Sequence, residues 1–123
     1  GFEAWKKSSK EYDSVSSVSA KTFKEAYENH EAPVFDVRKN GEFLSEHVIN
    51  AKNTPLDYIN YYLAEFPDNE TFYIHCAGGY RSMIAASILK SRGIHNLIDV
   101  KGGFKDIKEA GVEVSDYVCP STL

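Results

Sequence analysis

Cysteine is scarce in this sequence: its 123 residues hold two, Cys76 and Cys119, 43 positions apart. Two cysteines cannot staple a disulfide framework or fill a Cys-only zinc site, so a reduced thiol in a cytoplasmic setting is expected. Long apolar runs are also missing. None approaches the ~20 residues of a membrane-spanning helix, and no signal-peptide pattern opens the sequence, so no membrane partner is expected. Positive charge is not in excess, with 14 Lys and Arg against 18 Asp and Glu and a net charge of −4. That balance argues against a nucleic-acid partner or a polybasic membrane module. Histidines His30, His47 and His95 are scattered, without an i, i+4 pair or a carboxylate at ligand spacing, so no metal is expected. What is present is ordinary: 42% hydrophobic, 13% aromatic and 26% charged residues. This composition describes one globular domain, long enough to bury roughly two-thirds of its unfolded surface.

Helical and strand signals alternate along the chain. Residues 6–19 are rich in Ser and Lys and read as a linker, with Ser19 capping a helix over 20–29. Val34 to Val37 is a short strand, broken by Asn40-Gly41, after which 42–46 has room for one helical turn. Leu56, Ile59, Leu63 and Phe66 trace one face of a second helix, ended by Pro67-Asp68-Asn69. Thr71 to Ile74 is the next strand, followed by a glycine-containing loop and a small apolar helix over 83–90 that Gly93 stops. Asn96 to Val100 forms a further strand, and Gly102-Gly103 leads into a last helix over 104–110. Strands and helices at this spacing predict an α/β fold, a parallel sheet covered on both faces.

One internal similarity bears on organisation. Gly1-Phe2-Glu3-Ala4-Trp5-Lys6-Lys7 parallels Gly103-Phe104-Lys105-Asp106-Ile107-Lys108-Glu109. Two short amphipathic helices can coincide by chance. The alternative is that the sequence starts in the tail of a preceding, similar domain. On that expectation 1–17 is a tail and linker, 18–118 the domain, and 119–123 a C-terminal tail.

The chemical signal lies at the strand end, in His75-Cys76-Ala77-Gly78-Gly79-Tyr80-Arg81-Ser82. A loop that runs into a helix presents free amide N–H groups and the positive end of the helix dipole. A thiolate placed there is stabilised, and Arg81 adds a fixed cation at or near the loop's end. Glycines at 78 and 79 permit the tight turn. A buried, inert cysteine is the plainer alternative, but it has no use for two glycines and an arginine directly behind it. Protein tyrosine phosphatases set five residues between Cys and Arg, wide enough for a phosphate. Here there are four (Ala77, Gly78, Gly79, Tyr80), and a narrower ring of amides suits a single terminal sulfur.

The sequence resembles a rhodanese-homology domain of the single-domain type from about Val18 to Val118. The resemblance rests on Asp36-Val37-Arg38, Glu42-Phe43, and His47-Val48-Ile49-Asn50-Ala51 with Asn53 and Pro55. It continues through the Cys76 loop and closes on Gly102-Gly103-Phe104. It implies a five-stranded parallel sheet with helices on both faces. It also implies a sulfurtransferase of the thiosulfate or persulfide type, using no metal or organic cofactor. Cys76 would take a sulfane sulfur from a small-molecule donor and pass it to a thiol or cyanide. The amides of Ala77, Gly78, Gly79, Tyr80, Arg81 and Ser82 would hold the terminal sulfur. Glu46 and Asn50 stand where the family favours glycine, and Ile107 where it favours tryptophan; Trp5 occupies that place in the first copy of the repeat, consistent with a tandem parent whose preceding domain is a partner. Two other readings stay open, a docking module without activity and a small Cys-dependent phosphatase or arsenate reductase.

Several residues take supporting parts. His75 alternates with Cys76 on the strand, so its side chain points the other way and a structural role is expected. Asp36 and Arg38 share a face and read as framework, an ion pair or loop support. Tyr80 is expected at an exposed rim. Ser82 either caps the helix or bonds the sulfur. Tyr58, Tyr61 and Tyr62 suggest a partly exposed face, and Cys119 is expected to be incidental.

Overall fold

Every strand of the sheet runs in the same direction, because each is followed by a helix that carries the chain back. The computed structural model describes residues 16–29, 33–67 and 69–118; the repeat at 1–7, His30 and Cys119 lie outside them. The elements are β1 Ser16–Val18, α1 Ala20–Glu28, β2 Val34–Asp36, α2 Asn40–Ser45 and β3 Lys52–Asn53. A 3₁₀ helix over Leu56–Glu65 follows, then β4 Phe72–His75, α3 Tyr80–Ser91, β5 Leu97–Val100 and α4 Gly103–Glu109. Spatial order in the sheet is β1-β5-β4-β2-β3. The expected five-stranded parallel sheet is present.

Alternation along the strands splits the core in two. Phe35, Phe72, Ile74, Cys76 and Leu97 face Ala85, Ala86 and Leu89 of α3 and Ile59 and Phe66 of the 3₁₀ segment. Val34, Tyr73 and Val100 face Ala20, Phe23 and Ala26 of α1 and Phe104 and Ile107 of α4. Helices therefore cover both faces. Central β4 is buried at all four positions, as its unbroken apolar and aromatic sequence requires.

Ser19 caps α1 as expected, its hydroxyl accepting from the Thr22 N–H at 3.2 Å. Three features differ from the sequence reading. Ser16 and Ser17, placed in the linker, form edge strand β1 with Val18, in register with Ile98 to Val100. The helical turn expected over 42–46 starts earlier, with Asn40-Gly41 opening α2 beyond the end of β2 and the Lys39 N–H donating to the Glu42 carboxylate at 3.2 Å. The stripe from Leu56 to Phe66 winds as a 3₁₀ helix with a kink at Tyr58 (φ −122°, ψ 20°). Three residues per turn stack Leu56, Ile59 and Tyr62, so Tyr62 packs against the core. Tyr58 and Tyr61 stay exposed. The segment after α4 laces back across the molecule: Ile49 donates to the Glu113 carbonyl, Ser115 to His47 and Val118 to Ser45, at 3.1, 2.7 and 2.8 Å. Among the described residues no helix is long and apolar enough to cross a membrane.

Candidate active site

Cys76 is the first residue past β4, at the C-terminal end of the sheet's central strand. Its side chain lies on the α3 face and is 1% exposed. Gly79, at φ 98°, turns the chain into α3 and aims its N–H back at Cys76 Sγ, 2.9 Å away. The sulfur lies 3.6 Å from the Ser82 hydroxyl, which donates to the Gly79 carbonyl at 3.2 Å. Of the two uses expected of it, Ser82 takes the one beside the sulfur; it does not cap α3, whose N-cap is Gly79 with no side-chain cap bond. Tyr80, Arg81 and Ser82 form the first turn of α3, where amide N–H groups have no helical partner. Tyr80 stands on the rim, 77% exposed.

The loop is seated from the side by the β5–α4 turn. Phe104 donates its N–H to the Cys76 carbonyl at 2.6 Å. Gly103, at φ 64°, lies so close that a Cβ there would meet the Cys76 oxygen at 2.4 Å and the Ala77 carbonyl carbon at 2.6 Å. A Cβ on Gly79 would meet the Gly102 nitrogen at 3.3 Å. Backbone rests on backbone.

Arg81, the fixed cation expected at the loop's end, is held by a carboxylate. Its guanidinium grips both oxygens of Glu42 on α2, at 2.7 and 3.1 Å. The pair is mutual: the Arg81 hydrogen bond holds the Glu42 carboxyl below its ordinary range, and Glu42 raises the Arg81 guanidinium. Glu42 came to notice only as part of a sequence block, because contact across 39 residues leaves no local signal.

Asp36 and Arg38 occupy the opposite face and form a buried ion pair, Nη2 to Oδ2 at 2.8 Å. Arg38 Nε donates to both oxygens of Asp36 at 3.0 Å, and Nη2 to the Glu46 carbonyl at 2.6 Å. Its guanidinium lies 4.2 Å from the centre of the Phe104 ring. The pair is framework, tying β2 to the segment after α2 and to the Gly-Gly-Phe turn. His75 shares this face. Its Nδ1 is 3.2 Å from the Cys76 carbonyl, which can only accept, so Nδ1 carries the proton. Complete burial lowers its basicity, against the opposing pull of Asp36, and the ring stacks on Phe104. This histidine is a neutral strut. His47 is also structural, stacked on Phe43 with Nδ1 2.7 Å from the Phe43 carbonyl. No group of three His, Cys, Asp or Glu side chains among the described residues could hold a metal.

One residue escaped sequence reasoning. Asp99 is 2% exposed on β5, opposite Ile74 and on the same face as Cys76. Its Oδ1 has no hydrogen-bond partner among the described residues. An aspartate inside Leu97-Ile98-Asp99-Val100 was the available signal. Burial raises its carboxyl against the pull of Ser82 and Lys101. A raised carboxyl binds its proton more tightly in the folded chain, so its contribution is favourable at low pH and is lost as pH rises through the folded value. Asp99→Asn should therefore raise the unfolding temperature at pH 7, by about 4 °C for a gain of ~1 kcal/mol, and the gain should fade towards pH 4. Thermal unfolding of both proteins from pH 4 to 8 measures it.

A family model described as Rhodanese-like domain matches residues 19–110. The chain is 30% identical over 91 residues to "Uncharacterized protein YqhL" of Bacillus subtilis (strain 168), a match spanning 74% of this chain and 71% of that protein. It is 30% identical over 100 residues to "Putative sulfur carrier protein YrkF" of the same organism, spanning 80% of this chain but 54% of that one. Among solved structures, it is similar to a rhodanese-like domain protein from Staphylococcus aureus, with a TM-score of 0.73 and 32% identity. That likeness covers 83% of this chain and all of that one. With the family pattern running from Ser19 through α4 and a solved relative matched over its full length, this chain belongs to the rhodanese-like domain family.

Proposed function

We propose that this domain is a sulfurtransferase with Cys76 as its sulfur carrier. The observation that carries the reading is the loop itself: four residues separate Cys76 from Arg81, and the Gly79 amide points at Sγ from 2.9 Å. A loop this short, with an amide already aimed at Sγ, suits one sulfur atom. The Cys76 thiolate attacks the outer sulfur of a donor such as thiosulfate or a low-molecular-weight persulfide. The donor's S–S bond breaks, sulfite or a thiolate departs with the bonding electrons, and Cys76 is left as a persulfide. A thiolate or cyanide then attacks the terminal sulfur and restores the Cys76 thiolate. Amide donors from Ala77 to Ser82 stabilise the negative sulfur at each stage. The family relationship and the relative named as a sulfur carrier support the same chemistry. A phosphatase would need a wider loop, with five residues rather than four between the cysteine and the arginine.

The near-complete burial of Cys76 favours one second reading, a docking module that moves no sulfur. Mass spectrometry separates the two. Incubation with thiosulfate or a persulfide should add one sulfur, ~32 Da, located on the Cys76 peptide and lost on reduction. Unchanged mass with every donor would leave the docking module.

A further inference from the structure

The rim of the proposed site carries charges of both signs in equal number. A shallow hollow beside the loop is bounded by Val37, Lys39, Pro55, Leu56, Asp57 and Arg81. Arg81, which follows the Cys76 loop in the first turn of α3, forms one wall of the hollow, and Val37 forms another. Arg81 spends its fork on both oxygens of Glu42, and one of those oxygens also accepts from the Lys39 backbone. Lys39 and Asp57 contribute one charge of each sign. The remaining walls are aliphatic.

The two donor classes of the sulfurtransferase reading place different groups in this hollow. Thiosulfate, with its outer sulfur at Cys76, leaves a sulfonate-like group of three oxygens there. An organic persulfide leaves carbon. A dianion gains from a guanidinium that has free N–H groups, and gains little from one already closed in a bidentate pair.

From this we infer that Glu42 sets donor specificity: by occupying Arg81 it selects organic persulfides uncharged near the sulfur over thiosulfate and other anionic donors. The inference rests on the sulfurtransferase reading and deepens it. For the selected class the transfer balances simply. Cys76–S⁻ and R–S–S–H give Cys76–S–S–H and R–S⁻, with the proton staying on the migrating sulfur. The departing thiolate carries away the electrons of the broken S–S bond.

The test uses three donors: thiosulfate, 2-hydroxyethyl persulfide, and 2-sulfonatoethyl persulfide, the last two identical at the reacting sulfurs. With cyanide as acceptor, the wild-type domain should use the hydroxyethyl donor at least as well as its sulfonate counterpart. In Glu42→Gln the Arg81 charge is released. The kcat/KM ratio of thiosulfate to hydroxyethyl persulfide should rise about tenfold, and the sulfonate donor should overtake the neutral one. Salt supplies a readout that a merely structural Glu42 would not move. Between about 0.01 and 0.5 M ionic strength, thiosulfate turnover should be nearly flat in wild type and fall steeply in Glu42→Gln. Unchanged donor ratios in the variant, or a wild-type preference for the sulfonate donor, overturn this inference while leaving sulfur transfer intact. Transfer from none of the three donors overturns both.

Discussion

Cys76→Ser should lose sulfur transfer by on the order of a thousandfold or more, with thiocyanate formation from donor and cyanide as the measurement. A serine hydroxyl stays protonated at neutral pH and cannot carry sulfur as a persulfide. The shorter C–O bond also draws the atom back from the Gly79 N–H that reaches Sγ at 2.9 Å. The fold should survive, since the hydroxyl keeps two polar neighbours, that amide and Ser82. A drop in activity with a closely similar unfolding transition therefore assigns the loss to chemistry. Activity equal to wild type would end the sulfurtransferase reading.

Gly103→Ala is expected to be the most damaging small substitution outside the loop. The added methyl would sit 2.4 Å from the Cys76 oxygen and 2.6 Å from the Ala77 carbonyl carbon and oxygen, all backbone atoms that cannot swing aside. It would also be held at φ 64°, where alanine is strained by ~1–2 kcal/mol. Adding the overlap brings the expected cost to about 3–5 kcal/mol, a large share of a small domain's stability. Urea unfolding measures that cost directly. Because the displaced atoms belong to the nucleophile's own residue, sulfur transfer should fall even where enough folded protein remains to assay. Gly41→Ala is the matched control, since a Cβ there meets nothing within 4 Å, and it should cost little.

Strands of the central sheet were legible because burial on both faces writes unbroken apolar runs such as Phe72 to Ile74. Edge strands β1 and β3 were not. Ser16-Ser17-Val18 and Lys52-Asn53 are short and largely polar, and only their pairing makes them strands. The 56–66 stripe was read correctly for its inward residues, Leu56, Ile59, Leu63 and Phe66, but a period of 3.6 rather than 3.0 hid that Tyr62 also packs against the core. At the site, the Cys76 loop and the Asp36–Arg38 pair were visible because each is local in sequence. Glu42 on Arg81 and Asp99 behind Ser82 were hidden, because the residues they meet are distant along the chain.

The size of the Cys76 loop is not a private property of the loop. Gly79 and Gly102 face each other across the sheet end with no side chain between them, so the neighbouring turn acts as a template. Inserting one residue, to reach phosphatase width, would push the loop into that turn. Drift from sulfur towards phosphate chemistry would thus require β5 and α4 to give ground in the same step, a coupled change that single substitutions in the loop cannot make.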